Sequence, residues 1–260
     1  DYNVGDIDKV LITHAHIDHI GRLPKMVKDG YDGEVIMTKA TMDLAPVMLY
    51  DSAKIGMQDA ETETKKNLRQ GLDPVEPLYT DVDVDETIKL LRGYAYGEEV
   101  ELFDGIKIIF RDAGHILGSA ILELYINEDG KETKLVFSGD LGMPDRPLLK
   151  DPTFIKYADY VIMESTYGNR NHEELTDSTQ KLIDIIDKTV ARGGTVLIPS
   201  FAVGRSQELI YLLNKEFEKR KNQNVRVFLD SPMAVDATEV FMRNYDILDE
   251  ETQKLLKSGD

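Results

Sequence analysis

Three histidines and one aspartate lie within seven residues near the start of the sequence. They form the segment THAHIDH, residues 13–19, in a chain that has five histidines in all. In an extended segment His14 and His16 point in the same direction, so both imidazoles can bind one metal ion. Asp18 and His19 follow the predicted strand end and can bind a second ion. A buried polar group without a partner costs about 1 to 3 kcal/mol, and a metal ion removes that cost.

Two residues farther along the chain complete this predicted ligand set. His115 in AGHILGSA and Asp140 in SGDLG each follow a predicted strand, among small residues that let the backbone approach an ion. We predict that His115 is the third ligand of the first ion and that Asp140, with two carboxylate oxygens, bridges both ions. Such a centre lowers the pKa of a bound water toward about 7 and yields a hydroxide for hydrolysis. An alternative is that the dipeptides GH and GD belong to ordinary turns. That interpretation is reasonable for either segment alone, but it is poor for both of them together with the histidine cluster.

The composition limits which metals and which nucleophiles are available. The chain has no cysteine, so there is no disulfide, thiol nucleophile or thiolate ligand. Imidazole and carboxylate ligands favour Zn2+, two ions per complete site, with Mn2+ and Fe2+ as alternatives. His172 is interpreted as a solvent-facing residue at a helix start and not as a ligand.

The charge of the chain bears on its partners and its location. A formal net charge of -17 argues against broad electrostatic binding of polyanions, although bound cations reverse the sign locally. No apolar run approaches the roughly 18 residues that a membrane span requires, and the first residues do not resemble a signal peptide. We therefore predict a cytoplasmic protein that binds no membrane. The sequence leaves an oligomer open.

The histidine cluster follows the first predicted strand. KVLIT, residues 9–13, is a short β-rich run, and residues 22–30 predict a helix with Pro24 in its first turn. Residues 34–38 predict a second strand. A long and mostly helical stretch is then expected between residues 41 and 93.

The next segments predict two hairpins and one further strand. Residues 99–115 form a hairpin with a turn at Asp104-Gly105, and residues 119–140 form another with a turn at Asp129-Gly130. Residues 157–165 read as a buried strand that ends at Glu164. Every candidate ligand thus lies at a strand end, where an α/β architecture presents its cleft.

The pattern changes after residue 168 to alternating helices and strands. Strands are predicted at TVLIP (195–199) and VRVFLD (225–230), with helices before, between and after them. This alternation predicts parallel βαβ units and a second domain. We expect one domain over residues 1–168 and another over residues 169–260.

The motifs resemble those of the metallo-β-lactamase superfamily. Its HxHxDH signature corresponds to His14 through His19, and His115 and Asp140 are similar to its separate ligands. Within the superfamily the chain resembles the β-CASP nucleases, through Glu164 in ESTYGNR, SFAVGRSQEL (200–209) and FLDSPMA (228–234). THAHIDHIGRLP and GHILGSA look most like the branch of the pre-mRNA 3′-processing endonuclease and its prokaryotic homologues.

The resemblance implies a fold and an activity. The expected fold is α/β, an αββα sandwich incomplete at its N-terminus with a partial α/β β-CASP cap domain. The expected activity is zinc-dependent endoribonuclease cleavage of single-stranded RNA in RNA processing or decay. Asp18 would act as the base or orient the water, and Glu164 matches a motif acid of this group.

The loop before the helix at residue 205 is a candidate RNA contact. Its backbone N–H groups, together with Ser200, Gly204 and Arg205, are placed to bind a phosphate at a helix N-terminus. An ordinary strand-to-helix connection is an equally good interpretation.

Two other functions remain open, and the resemblance also implies a shortened chain. A small-molecule hydrolase of the same superfamily would act on a thioester, ester or lactone with the same metals. A noncatalytic RNA-binding subunit is the second alternative. No histidine follows His172, so two further family motifs are absent. We therefore expect a fragment cut at both ends, with weak or no turnover.

Overall fold

The first predicted strands form a small parallel sheet. The computed structural model describes residues 3–170, 175–219 and 225–258. Strands β1 (Lys9–Leu11), β2 (Glu34–Thr38) and β3 (Leu91–Tyr94) lie side by side in that order. The first two confirm the sequence predictions. The helical prediction was wrong at residues 91–93, because these residues pair with β2 and the preceding helix ends at Leu90.

The two predicted hairpins form most of a second, five-stranded sheet. Its members are β4 (Glu99–Phe103), β5 (Ile106–Asp112), β6 (Ala120–Glu128), β7 (Lys131–Phe137) and β8 (Tyr160–Ile162). Neighbouring strands are antiparallel except β7 and β8. The turn between β6 and β7 has positive φ at Asp129 and Gly130, 52° and 77°, as a two-residue type I′ turn requires.

Strand β8 is shorter and more exposed than predicted. Only Tyr160–Ile162 pairs with β7, and all three residues are exposed. Glu164 therefore lies two positions past the strand, not at its end. Among the described residues β8 has a neighbour on one side only, so its other edge is unpaired there.

A shared apolar core joins the two sheets. Ile36 of β2 packs in one buried cluster with residues of the second sheet, among them Ile108, Phe110 and Leu122. Burying a side chain of this size stabilises the fold by about 1.5 to 3 kcal/mol. The layered arrangement fixes the edge at which the strand ends meet.

Four helices follow or precede the strands of the first sheet. They are α1 (Ile17–Ile20), α2 (Leu23–Lys28), α3 (Lys39–Arg69) and α4 (Asp81–Leu90). Helix α2 confirms the prediction, including Pro24 in its first turn. Thr38 caps α3 through its hydroxyl, which accepts a hydrogen bond from the Thr41 N–H at 3.2 Å.

The chain divides into two compact units. One comprises Asp1–Met163 and Glu239–Asp260, and the other comprises Glu164–Thr238. The remaining helices are α5 (Leu175–Ala191), α6 (Arg205–Lys219), α7 (Pro232–Arg243) and α8 (Glu250–Ser258). No helix in the described part of the chain is both long and apolar enough to span a membrane.

The second unit confirms the predicted helices but not the predicted strands. Ile183 and Ile186 of α5 pack against Leu213 of α6. The strand predictions at residues 195–199 and 225–230 were wrong, since neither segment belongs to a ladder in the described residues. A strand requires a hydrogen-bonded neighbour, and an apolar run by itself does not provide one.

Gly56 in the middle of α3 offers a test of the helix. A Cβ at this position would meet no atom within 4 Å. We expect Gly56→Ala to raise the free energy of unfolding by about 0.5 to 1 kcal/mol, because alanine loses less backbone entropy on folding. Urea denaturation measures the change. Ala53→Gly on the same helix is the matched control and should lower the free energy of unfolding. An unchanged urea midpoint for Gly56→Ala would contradict the helix described here.

Candidate metal centre

Three of the predicted ligands lie three positions past the end of a strand. His14 follows β1, which ends at Leu11, and His115 follows β5, which ends at Asp112. Asp140 follows β7 in the same way. Because these strands belong to two sheets that share a core, their loops meet at one edge of the sandwich.

Close backbone packing joins these loops around Thr13. The N–H of Ala120 donates to the carbonyl of Thr13 at 2.8 Å. A Cβ on Gly139 would lie 2.8 Å from Thr13 Cβ, and Gly139 also has a positive φ of 54°. A Cβ on Gly142 would lie 1.7 Å from the carbonyl oxygen of Gly114. These contacts require glycine, so the small residues of SGDLG and AGHILG have a steric cause.

The loop that carries His115 is fixed by buried hydroxyl groups. Ser119 Oγ accepts the N–H of His115 at 3.0 Å and that of the next residue at 3.2 Å. The carbonyl of Gly118 accepts hydrogen bonds from the hydroxyls of Thr38 and Thr41 at 2.7 and 2.8 Å. The start of α3 thus anchors the His115 loop.

Four of the predicted ligands form one compact group of donor atoms. His16 Nδ1 lies 3.2 Å from both His14 Nε2 and His115 Nε2. Asp140 Oδ2 lies 3.7 Å from His14 Nε2 and 3.6 Å from His115 Nε2. The four ligand atoms are all within 4.8 Å of one another. Atoms about 2.0 to 2.1 Å from a tetrahedral ion are about 3.3 to 3.4 Å apart, so this group fits a divalent metal.

Burial favours the neutral form of the His14 and His16 imidazoles. The side chain of His14 is fully buried, and burial together with the neighbouring imidazoles lowers its pKa to about 2. Burial also lowers the pKa of His16, with a further contribution from His115. Thr13 Oγ1 lies 3.2 Å from His14 Nδ1, which leaves Nε2 facing the group. Neutral imidazoles crowded together in this way present lone pairs to a cation.

The other predicted ligands flank the same aspartate. His19 Nε2 lies 3.4 Å from Asp140 Oδ1 and 3.7 Å from Asp18 Oδ2. The two oxygens of Asp140 therefore face two different sets of nitrogen atoms, as a bridging carboxylate would. The side chain of Asp18 is 75% exposed, so this half of the centre is open to solvent.

The remaining candidate residues belong to the second unit. Glu164, Ser200, Gly204 and Arg205 all lie within Glu164–Thr238. In that unit the N–H of Gly204 donates to Gln207 Oε1 at 2.7 Å, and Arg205 Nη1 pairs with Glu208 Oε2 at 2.7 Å. Their roles toward RNA stay predictions. His172 lies outside the described residues.

The sequence interpretation missed two residues that support the ligands. Thr13 contacts the ring of His14, and Ser119 holds the backbone of His115. Both are hydroxyl residues within four positions of a ligand histidine, in segments that are otherwise apolar or small. That pattern is the signal that would have found them.

The chain matches two known protein families. Residues 1–200 match the metallo-beta-lactamase superfamily, and residues 206–259 match the Beta-Casp domain. The first match includes every residue of the candidate metal centre. Together the matches support the expected fold class.

Several curated proteins are similar to almost the whole chain. It is 37% identical over 254 residues to a ribonuclease of Thermus thermophilus. This alignment covers 98% of this chain and 53% of that protein. It is 34% identical over 259 residues to the transcription termination factor FttA of Methanosarcina mazei, 98% of this chain and 38% of that one. It is 30% identical over 266 residues to the endoribonuclease YSH1 of Kluyveromyces lactis, 100% of this chain and 33% of that one. The chain thus spans about half the length of the first relative and less of the others.

Metal content provides a test of the ligand group. We expect the purified chain to bind about one to two equivalents of zinc, because His14, His16, His115 and Asp140 present four converging donors. His16→Ala should lose most of this metal, as measured by atomic emission after dialysis. Asp59→Ala, which replaces an exposed acid on α3, is the control and should retain it. Equal zinc content in the wild type and in His16→Ala would refute the assignment of these residues as metal ligands.

The pH dependence of stability provides a second test, on metal-free protein. Between pH 6.5 and about 2 the unfolded chain binds a proton at His14 that the folded chain excludes. The contribution of His14 to stability is therefore fully present above pH 6.5 and decreases as the pH falls. We expect a loss of up to about 1.4 kcal/mol per pH unit, measured by urea denaturation with chelator present. His14→Gln should show a smaller slope, and equal slopes would contradict the burial of this imidazole.

Proposed function

Because the chain belongs to the metallo-beta-lactamase superfamily, we propose that it contains the metal centre of a ribonuclease that hydrolyses RNA phosphodiester bonds. The observation that carries the proposal is the convergence of four donor atoms from His14, His16, His115 and Asp140. Its similarity to proteins named ribonuclease and endoribonuclease supports RNA as the substrate. We further propose endonucleolytic cleavage, in RNA processing or decay.

We assign one ion to each side of Asp140. His14, His16 and His115 would hold the first, while Asp18 and His19 would hold the second. Zn2+ suits these nitrogen and oxygen ligands best, and Mn2+ and Fe2+ are the alternatives. A divalent metal in such a site lowers the pKa of bound water and neutralises charge that develops on the phosphate.

The exposure of the ligands favours one direction of approach for the substrate. His14 is fully buried, whereas His19 and Asp18 are 30% and 75% exposed. The scissile phosphate would therefore approach from the side of Asp18. In this arrangement a carboxylate oxygen of Asp18 orients the attacking water and accepts its proton.

The positive charge of bound metal ions would also allow this acidic chain to bind RNA, which is a polyanion. The formal net charge of -17 disfavours binding of RNA across a broad surface. Ions between Asp18, His19 and Asp140 would make the potential positive at the point of cleavage. Binding would then depend on a few local contacts.

We propose further functional roles for residues of the second unit. Glu164 would act as a motif acid of the family, and the loop from Ser200 to Arg205 would contact RNA phosphate. Both roles are proposals, because the chain spans about half the length of the Thermus relative. The cytoplasmic location stays a prediction.

An RNA cleavage assay tests this function. We expect the zinc-loaded chain to cut labelled single-stranded RNA at a low rate. Asp18→Ala should lower that rate by about a hundredfold or more, because a proton acceptor at the metal centre is lost. Gel electrophoresis of the products measures the rate and separates internal from terminal cleavage.

The controls separate the proposed function from its rivals. Asp59→Ala, which removes an exposed acid on α3, should cut RNA as the wild type does. Turnover of thioesters without RNA cleavage would indicate a small-molecule hydrolase. RNA binding without cleavage at any metal concentration would indicate a noncatalytic subunit.

A further inference from the structure

A cavity of about 310 Å³ opens beside the metal centre, within the first unit. Three elements line it: α1 and its C-terminal end, the middle of α3, and the segment before α4. The lining residues are Ile17, Asp18, Gly21, Arg22, Ser52, Gly56, Leu78 and Tyr79. Asp18 belongs both to this cavity and to the candidate metal centre, so a ligand in the cavity would lie next to the proposed cleavage point.

Arg22 is the cation of this cavity. Its side chain is exposed, and it forms no ion pair with any carboxylate in residues 3–170, 175–219 and 225–258. By contrast, Arg92, Arg111 and Arg205 each pair with a glutamate. A guanidinium without a carboxylate partner can bind a phosphate with two parallel hydrogen bonds.

The walls of the cavity suit a nucleoside. Ile17 and Leu78 are large apolar residues that are 39% and 42% exposed, so they offer surface against which a base can pack. Ser52 Oγ and the hydroxyl of Tyr79 lie 2.8 Å apart. One hydroxyl donates to the other, which leaves one donor hydrogen and several lone pairs for a ribose 2′-hydroxyl or a base edge.

The segment that supplies Leu78 is held in place before any ligand binds. Thr64 Oγ1 of α3 accepts the N–H of Val75 at 2.9 Å and donates to its carbonyl at 3.1 Å. Asn67 Nδ2 donates to the carbonyl of Asp73 at 3.0 Å. The cavity is therefore formed by a fixed wall, and its volume is near the lower end of small-ligand pockets, about 300 Å³. It has room for one nucleotide and not for a duplex.

We propose that this cavity is a subsite for one nucleotide of single-stranded RNA, adjacent to the scissile phosphate. Arg22 binds the phosphate of that nucleotide, its base packs against Ile17 and Leu78, and the hydroxyl pair of Ser52 and Tyr79 contacts the sugar or the base. This subsite rests on the proposed ribonuclease function, and it is distinct from the metal ligands apart from Asp18.

Gly56 allows the cavity to be filled without replacing any candidate metal ligand. A Cβ there meets no atom within 4 Å, so a leucine extends into open space. We expect Gly56→Leu to raise the Kd for a fluorescein-labelled oligouridylate about tenfold or more, which is the order of one base-packing contact. Gln58→Leu, with the same new side chain on the exposed part of α3, is the matched control and should bind as the wild type does.

The salt dependence of binding tests Arg22 separately. Loss of one phosphate contact lowers the slope of log Kd against log salt by about 0.7 for a single strand. We expect that change in Arg22→Gln and not in Arg69→Gln, which replaces an exposed arginine at the end of α3. A merely structural role for Arg22 would leave the slope unaltered.

The outcomes distinguish this subsite from the function on which it rests. Zinc content and the urea midpoint are measured for every variant, so that misfolding is recognised. If the wild type binds and cuts RNA but Gly56→Leu and Arg22→Gln bind it equally well, the subsite is refuted and the ribonuclease function stands. If the wild type neither binds nor cuts RNA, the function fails and the subsite fails with it.

Discussion

Crowding of neutral imidazoles in a buried space is the constraint around which this structure is arranged. His14 is fully buried, and His16 Nδ1 lies 3.2 Å from two other ring nitrogens. Desolvation and repulsion from neighbouring imidazoles lower the pKa of His14 and His16. Lone pairs that converge without protons are stabilised by a cation, so the same packing that disfavours charge on the histidines favours binding of a metal.

The fold maintains this crowding through short connections that leave little freedom. Each of the three loops reaches its ligand three residues after a strand, and glycines at 114, 139 and 142 permit the backbones to touch. Buried hydroxyls of Thr38, Thr41 and Ser119 fix the loop of His115. Ligands held in this way lose little conformational entropy on binding an ion, which is the physical advantage of placing them at strand ends.

The two sides of Asp140 differ in solvent exposure, and this difference suggests a separate role for each side. The His14 side is buried and suited to holding an ion, whereas the Asp18 side is open and adjoins the cavity that contains Arg22. In a chain with a net charge of -17, bound metal ions and the guanidinium of Arg22 would concentrate the attraction for a phosphate at one place. Under the proposed function, such a surface would select a strand by local fit and not by general electrostatic attraction.

The sequence by itself identified the candidate ligand residues and predicted the hairpins and most helices, because donor chemistry, turn residues and apolar periodicity are local properties. It did not determine the helix end at Leu90 or the missing ladders at residues 195–199 and 225–230, since pairing depends on neighbours distant in the chain. Only the tertiary structure brought Arg22, Gly56 and Leu78 together around one cavity. A cavity forms between elements that are distant in the chain, so local sequence patterns do not predict it.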